Sequence, residues 1–169
     1  VSLARRSARW NGVARRIAVR EGDLRDPATW AEEPAFDLVT ATPPYLPPGT
    51  ASESRRAQRG PCRIEHRGGI EEYCRAARPL IAPDGLFVTC AGGPGPERAV
   101  AAARRADLVV ERCRAVVPRA GKAPLFWLFR LRPGSAGAVR EEPPLVVRDE
   151  AGRRTPEARR MREEMGLPP

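Results

Sequence analysis

The order of apolar segments predicts an α/β fold with a mostly parallel sheet, helices on both faces and a closing antiparallel hairpin strand. Short strand-like runs alternate with helical patterns over residues 17–105, which is how parallel strands are usually connected. After them, residues 107–117 and 124–131 form two apolar runs joined by a short glycine-containing turn, which is typical of a hairpin. An antiparallel ending is unusual for such a sheet.

The first part of the chain predicts one helix and two strands. Residues 2–16 have a helical apolar stripe, with Asn11-Gly12 as a stop signal. Residues 17–20 predict a first strand, and a polar connector with a helical turn follows it. The run at 36–40 predicts a second strand that is apolar enough to be buried on both faces, as parallel strands are.

The elements of the second part follow the same alternation up to the hairpin. They are a helix over residues 69–81, a turn at 83–85, a buried strand at 86–91, an alanine-rich helix at 97–106, a short strand-like segment at 144–147 and a weak terminal helix at 156–166. Between residues 51 and 68 no apolar period is visible, so this basic stretch predicts a long loop with a functional role or with disorder.

Composition excludes several classes of protein. The 169 residues contain no run of 18 apolar residues, which excludes a spanning helix, and the first ten residues are too basic and polar for a signal peptide. Four cysteines lie far apart and His66 is the only histidine, which argues against a zinc site and against a disulfide scaffold. We therefore expect a reduced, cytoplasmic setting with no membrane and no metal.

The net charge of +9 favours a nucleic-acid partner, because clustered cations gain affinity by releasing the counterions of phosphates. Lys122 is the only lysine among the 30 basic residues. An arginine excess of this kind, together with abundant alanine, proline and glycine, also arises from a GC-rich genome. Charge alone therefore leaves nucleic-acid binding open.

Two predicted strand ends carry polar residues, where ligands bind in open α/β sheets. Gly22-Asp23 follows the first strand, and the Asp23 carboxylate could accept a hydrogen bond from an exocyclic amine; a simple turn or a helix cap is the alternative. Thr42-Pro43-Pro44-Tyr45 follows the second strand. Its prolines fix the directions of the Thr42 and Pro43 carbonyls, and Tyr45 offers a face on which a planar amine can stack. A polyproline loop is less compatible with a position directly after a buried strand.

These residues resemble a known family, the class I S-adenosylmethionine-dependent N-methyltransferases. The stretch FDLVTATPPY resembles the family's Asn/Asp/Ser-Pro-Pro-Tyr/Phe substrate motif, EGDL its adenine-contacting motif, and LIAPDGLFV its turn into the fifth strand. The tail, VVPRAGKAPLFWLFRLRPG followed by PPLVVRDEAGRRTPEARR, is similar to the end of bacterial tRNA(Val) adenine-N6 methyltransferases. The helix at the start resembles the one that follows the family's ribose-binding acidic residue.

The resemblance implies a Rossmann-like methyltransferase domain over residues 1–132, with a C-terminal tail at 133–169. It implies S-adenosyl-L-methionine as cofactor and methyl transfer to an exocyclic nitrogen of adenine in RNA, with tRNA as the partner. The implied cofactor contacts are Asp23, Leu24 and Thr42, and the implied catalytic residues are Thr42, Pro43, Pro44 and Tyr45. In this reading the Thr42 hydroxyl and the Pro43 carbonyl accept from the target amine, and no general base is required of His66.

Two departures from the family pattern stand out. The glycine-rich cofactor loop and the ribose-binding acidic residue are expected before Val1, so we expect the domain to be incomplete at its N-terminus. Thr42 stands where Asn, Asp or Ser is usual, and its hydroxyl offers less reach than an amide. Two alternatives stay open: a protein glutamine N-methyltransferase, which uses the same Pro-Pro-Tyr chemistry, and a noncatalytic remnant without the cofactor loop.

Arginines near the predicted site are candidate contacts for RNA phosphates, with a solvated loop as the alternative for each. They lie in the long loop and at the tip of the hairpin, where one lysine joins them: Arg55, Arg56, Arg59, Arg63 and Arg67 in the loop, and Arg119 and Lys122 at the tip.

Overall fold

The computed structural model describes residues 1–49 and 62–168, and the chain divides into two compact units, Val1–Glu33 and Pro34–Pro169. In the first unit, helix α1 (Ser2–Trp10) ends where the Asn11-Gly12 signal predicts. Asn11 is its C-cap residue, and Gly12 follows with φ of +67°. No helix among the described residues is long and apolar enough to cross a membrane.

The prediction of a strand at residues 17–20 is wrong. Those residues form no strand, because a strand exists only where a neighbour completes its ladder and no described strand pairs with them. The Val19 carbonyl instead accepts a hydrogen bond of 3.2 Å from the Arg5 guanidinium. The helical turn predicted in the connector is confirmed as a single 3-10 turn, Pro27–Thr29, capped by the Asp26 carboxylate.

The described part of the second unit contains a five-stranded sheet and three α-helices. Its elements are β1 (Phe36–Ala41), α2 (Ile70–Ala77), β2 (Ile81–Ala91), α3 (Glu97–Arg105), β3 (Leu108–Val117), β4 (Phe126–Pro133), β5 (Arg140–Val146) and α4 (Pro156–Glu164). All the helices and strands predicted between residue 36 and the C-terminus are present, but the turn at 83–85 is not, and most of the loop predicted at 51–68 lies outside the described residues. The segment 83–85 lies within β2, where the pairing with β1 jumps from Phe36↔Ile81 to Leu38↔Leu86.

The sheet is mixed, so the prediction of a mostly parallel sheet is wrong. The strand order is β1-β2-β4-β3-β5; β1–β2 and β3–β5 are parallel, whereas β4 is antiparallel to both of its neighbours. The cause is the short turn between β3 and β4, which returns β4 into the space between β2 and β3. The tail contributes β5 to the same sheet, parallel to β3.

Strand β1 lies at an edge of the sheet and is not buried on both faces as predicted. Among the described strands it pairs only with β2, and the side chains of Phe36 and Leu38 are 40% and 57% exposed. The apolar run correctly predicted a strand, but burial depends on neighbours that the run itself does not specify.

The core lies between one face of the sheet and helices α2 and α3. Phe87 of β2 and Phe129 and Leu131 of β4 are almost fully buried there, against Cys74 of α2 and Ala103 of α3. Helix α3 presents alanines at positions 99, 102 and 103, which fall on one helical face and let the helix approach the sheet closely. Helix α4 reaches the opposite face at the β5 end, where Glu157 pairs with Arg114.

The strand directions bring several chain segments to one edge, which we call the carboxyl edge. Along this edge, in the order of the strands in the sheet, lie five residues: Thr42 after β1, Gly92 after β2, Phe126 at the start of β4, Pro118 after β3 and Val147 after β5. Ligands of α/β sheets bind beyond the carboxyl ends of the parallel strands. The carboxyl edge is therefore where a site is expected.

Candidate active site

The Thr42-Pro43-Pro44-Tyr45 segment leaves β1 at the carboxyl edge. Thr42 is exposed, Pro43 and Pro44 are buried, and Tyr45 is half-buried. Each proline ring fixes its own φ torsion, and both rings are buried, so the backbone of this segment has little conformational freedom. Thr42 is thus presented to solvent from a fixed backbone, with both its hydroxyl and its carbonyl as potential acceptors.

Tyr45 crosses the end of β2 and reaches β4. Its ring lies 6.3 Å from that of Phe126, centroid to centroid, with the planes tilted by 35°. Gly92 makes this crossing possible: a Cβ built there would lie 2.6 Å from Tyr45 Cδ2 and 3.0 Å from the Tyr45 carbonyl oxygen. Any side chain at residue 92 would therefore displace the tyrosine.

The chain is pinned immediately after Tyr45. Leu46 and Ile64 form an isolated parallel bridge, in which the Leu46 N–H donates to the Arg63 carbonyl and the Glu65 N–H to the Leu46 carbonyl, each at 3.0 Å. Ile64 is 3% exposed, so an apolar anchor accompanies these hydrogen bonds. We call Leu46 and residues 63–65 the neck.

Arg98 of α3 holds the neck against the helices. Its guanidinium donates two hydrogen bonds of 2.9 Å to the Glu65 carboxylate, and two more, of 2.8 and 2.9 Å, to the carboxylate of Glu71 in α2. These bonds lower the pKa of Glu71 and raise that of Arg98, because each charge is stabilised by the other. Gly69 leaves room for the pair, since a Cβ there would lie 2.8 Å from both partners.

The residues predicted to contact the cofactor's adenine lie in the first unit. The Asp23 carboxylate accepts from the N–H of Arg25 at 3.0 Å and from its guanidinium, and Trp30 Nε1 donates to the Leu24 carbonyl at 3.0 Å. Thr42 belongs to the second unit. Among the described residues, Gly92 and Gly95 form no open glycine cradle, because they abut Tyr45 and Glu97.

Two of the predicted phosphate contacts lie at the carboxyl edge. Arg119 and Lys122 are exposed in the turn between β3 and β4, about three strand spacings, or about 14 Å, along the edge from Thr42. Arg63 and Arg67 are exposed at or beside the neck, as is His66. Arg55, Arg56 and Arg59 lie outside the described residues.

Several site residues were not predicted from the sequence. Gly92, Phe126 and Arg98 come from three separate elements and meet Tyr45 or the neck only in the folded chain. The Gly92-Gly93 pair directly after a strand was the one available signal, since such pairs mark close backbone approach. Thr89 Oγ1 and Trp127 Nε1, both buried near the end of β2, have no hydrogen-bond partner among the described residues.

No family model matches the sequence, and neither does any curated protein. The structure does have a solved neighbour, the crystal structure of a predicted O-methyltransferase, protein Atu636 from Agrobacterium tumefaciens. The two superpose with a TM-score of 0.68 over 96% of this chain and 71% of that one, at 20% sequence identity. The chain therefore has the fold of that protein. At this identity the similarity shows the fold alone, and a fold identifies neither the reaction nor the acceptor.

Proposed function

We propose that the protein is an S-adenosylmethionine-dependent methyltransferase that methylates an exocyclic nitrogen of adenine in RNA, with tRNA as its substrate. The observation that carries the proposal is the arrangement around Tyr45, whose ring lies over Gly92 and against Phe126 beside the exposed Thr42. A flat base stacked on Tyr45 brings its amino group to Thr42. The methyltransferase fold is consistent with this chemistry.

The protein's contribution to such a reaction is orientation. S-adenosylmethionine, when bound, supplies a methyl group that is already activated on a sulfonium. The Thr42 hydroxyl and the Pro43 carbonyl accept hydrogen bonds from the target amine, while Tyr45 fixes the plane of the base. Holding a nucleophile in line in this way contributes up to ~7–11 kcal/mol in ideal intramolecular reactions.

Two features favour nitrogen in RNA over other acceptors. An exocyclic amine has two hydrogens for the two acceptors, the Thr42 hydroxyl and the Pro43 carbonyl, whereas a hydroxyl has one. The exposed cations Arg119 and Lys122 share the carboxyl edge with Tyr45 and suit a polyanion. A glutamine side-chain amide satisfies the first feature but not the second. An adenine in a tRNA loop can be splayed out to reach the tyrosine, as bases read in RNA generally are.

Transfer of a labelled methyl group from the cofactor to bulk tRNA tests the proposal, with a protein release factor as the competing acceptor. We expect label in tRNA adenine, a loss of at least about tenfold in Tyr45→Ala and near-normal transfer in Tyr45→Phe, which keeps the stacking face. Label in the release factor alone would replace RNA by protein as the substrate. With the protein expressed from its full-length reading frame, label in neither acceptor, or full activity in Tyr45→Ala, would refute the proposed role.

A further inference from the structure

The turn between β3 and β4 is fastened to the segment that follows β5. The Val147 N–H donates to the Val117 carbonyl at 2.9 Å, and the Ala120 N–H donates to the Arg148 carbonyl at 2.8 Å. The Thr155 N–H closes the segment on itself with a 3.1 Å bond to the Val147 carbonyl. The Pro-Arg-Ala-Gly-Lys hairpin and the Arg-Asp-Glu-Ala-Gly tail, which are separate in the sequence, thus form one surface at the carboxyl edge.

Two guanidinium groups converge on Gly152 within this surface. Gly152 closes a turn through a 3.0 Å bond from its N–H to the Asp149 carbonyl and has φ of +81°, a conformation that favours glycine. Arg148 Nη1 donates to the Gly152 carbonyl at 2.7 Å. A Cβ built on Gly152 would lie 3.2 Å from Arg119 Nη2, so the Arg119 guanidinium lies directly over the glycine.

Neither of these charges is neutralised by the protein. Arg119 and Arg148 are exposed, and no carboxylate in the described ranges 1–49 and 62–168 lies within ion-pair distance of either. The neighbouring Asp149 is bound to Arg153, through its N–H at 2.9 Å and its Nε at 3.2 Å. Two cations held against one residue without a counter-charge repel each other, and an anion between them removes that repulsion.

We propose that Arg119 and Arg148 form a phosphate-binding site over Gly152, and that it takes a backbone phosphate of the RNA substrate. The inference rests on the proposed function for the identity of the ligand. Guanidinium groups bind phosphate oxygens in a bidentate way, and the absence of a Cβ at Gly152 lets the Arg119 guanidinium approach the residue to which Arg148 is hydrogen-bonded. Lys122, exposed in the same turn, adds a third cation. The site lies three to four strand spacings, or about 14–19 Å, along the edge from Thr42.

Binding of unmodified tRNA as a function of salt concentration tests the site. The double variant Arg119→Gln/Arg148→Gln is compared with Arg104→Gln/Arg105→Gln, which removes the same charge from the end of α3, where β3 begins at the opposite edge of the sheet. We expect the first variant to bind about tenfold or more weakly near 0.1 M salt, with a salt slope smaller by about 2. The control variant should keep the slope of the wild type. Equal behaviour of the two variants would overturn the site.

A titration with inorganic phosphate distinguishes the two possible ligands of this site, a backbone phosphate of RNA and the free phosphate ion. Side-chain NMR signals of Arg119 and Arg148 should shift with tRNA at micromolar concentration, whereas inorganic phosphate at the same ionic strength should need a much higher concentration to produce the same shift. A shift with phosphate but not with tRNA would overturn the assignment to RNA. Loss of tRNA binding in the double variant, without any methyl transfer by the wild type, would refute the proposed function and leave the site. Methyl transfer with an unchanged Michaelis constant for tRNA in the double variant would refute the site and leave the function.

Discussion

Arg98 binds the Glu65 carboxylate through two parallel hydrogen bonds of 2.9 Å, although the two residues are 33 positions apart in the chain. Glu65 is hydrogen-bonded through its backbone to Leu46, the residue after Tyr45. The tyrosine is therefore positioned from both sides: two buried prolines precede it, and the neck held by α3 follows it. Stacking a base on Tyr45 depends on the neck as well as on the proline motif.

We expect Arg98→Met to destabilise the protein by about 1–3 kcal/mol, because it leaves the Glu65 side chain, 11% exposed, without its counter-charge. Urea unfolding measures this loss. The rate of methyl transfer should fall by about tenfold even under conditions where the variant is fully folded, because the neck no longer fixes Tyr45. The loss of stability alone would leave this rate unchanged.

A double-mutant cycle with Glu65→Gln isolates the Arg98–Glu65 pair. The double variant should be less destabilised than the sum of the two single changes, with a coupling of about 1 kcal/mol. Arg104→Gln, on an exposed position of the same helix, controls for a general loss of charge and should change stability by less than about 0.5 kcal/mol. Strict additivity at residues 65 and 98 would show that the Arg98–Glu65 ion pair does not hold the neck.

Gly92→Ala should reduce methyl transfer to RNA by about 10- to 100-fold while the protein stays folded. The added methyl group would lie 2.6 Å from Tyr45 Cδ2, so the tyrosine ring must move off the end of β2 and away from Phe126. Steady-state kinetics with tRNA measures the effect of moving the Tyr45 ring, and a thermal unfolding curve shows whether the variant is still folded.

Gly166→Ala is the comparison for Gly92→Ala. Gly166 is exposed after α4, with φ of +68° and no neighbouring atom within 4 Å of a built Cβ. Its substitution strains the backbone locally and should leave the chemical step unchanged. A Gly92→Ala enzyme with normal turnover would show that the position of Tyr45 does not limit the reaction.

Local sequence patterns predicted every strand that has a ladder partner, together with the helices between them. They failed at residues 17–20, where the residues suit a strand but no described strand pairs with them, and at β1, whose apolar side chains are exposed because the strand lies at an edge. The mixed sheet was missed because the position of β4 between β2 and β3 depends on pairing between distant segments, which local patterns do not show. The motif identified Tyr45, whereas Gly92 and Arg98 are set by contacts between distant segments.

The stabilisation that Glu71 provides should decrease at low pH. Hydrogen bonds from Arg98 lower the pKa of Glu71 below its usual 4.5, so the unfolded state takes up a proton first as the pH falls. The stabilising effect of the carboxylate is therefore complete well above 4.5 and disappears as the pH drops through the lowered pKa. We expect the gap in unfolding free energy between wild type and Glu71→Gln to be larger at about pH 6 than at about pH 3. A gap that does not change with pH would rule out an ionic role for Glu71.

The four cysteines should differ sharply in reactivity. Burial raises the pKa of Cys74 to about 12 and also raises those of Cys90 and Cys113, while Cys62 is exposed. Alkylation requires the thiolate and access to it, so at about pH 8 only Cys62 should react quickly with iodoacetamide in the folded protein. Mass spectrometry should find the other three thiols modified only after denaturation, and Cys62→Ser should abolish the fast reaction. Modification of Cys74 as fast as that of Cys62 would mean that α2 separates from the sheet readily, which is incompatible with the packed core against Phe87 and Phe129.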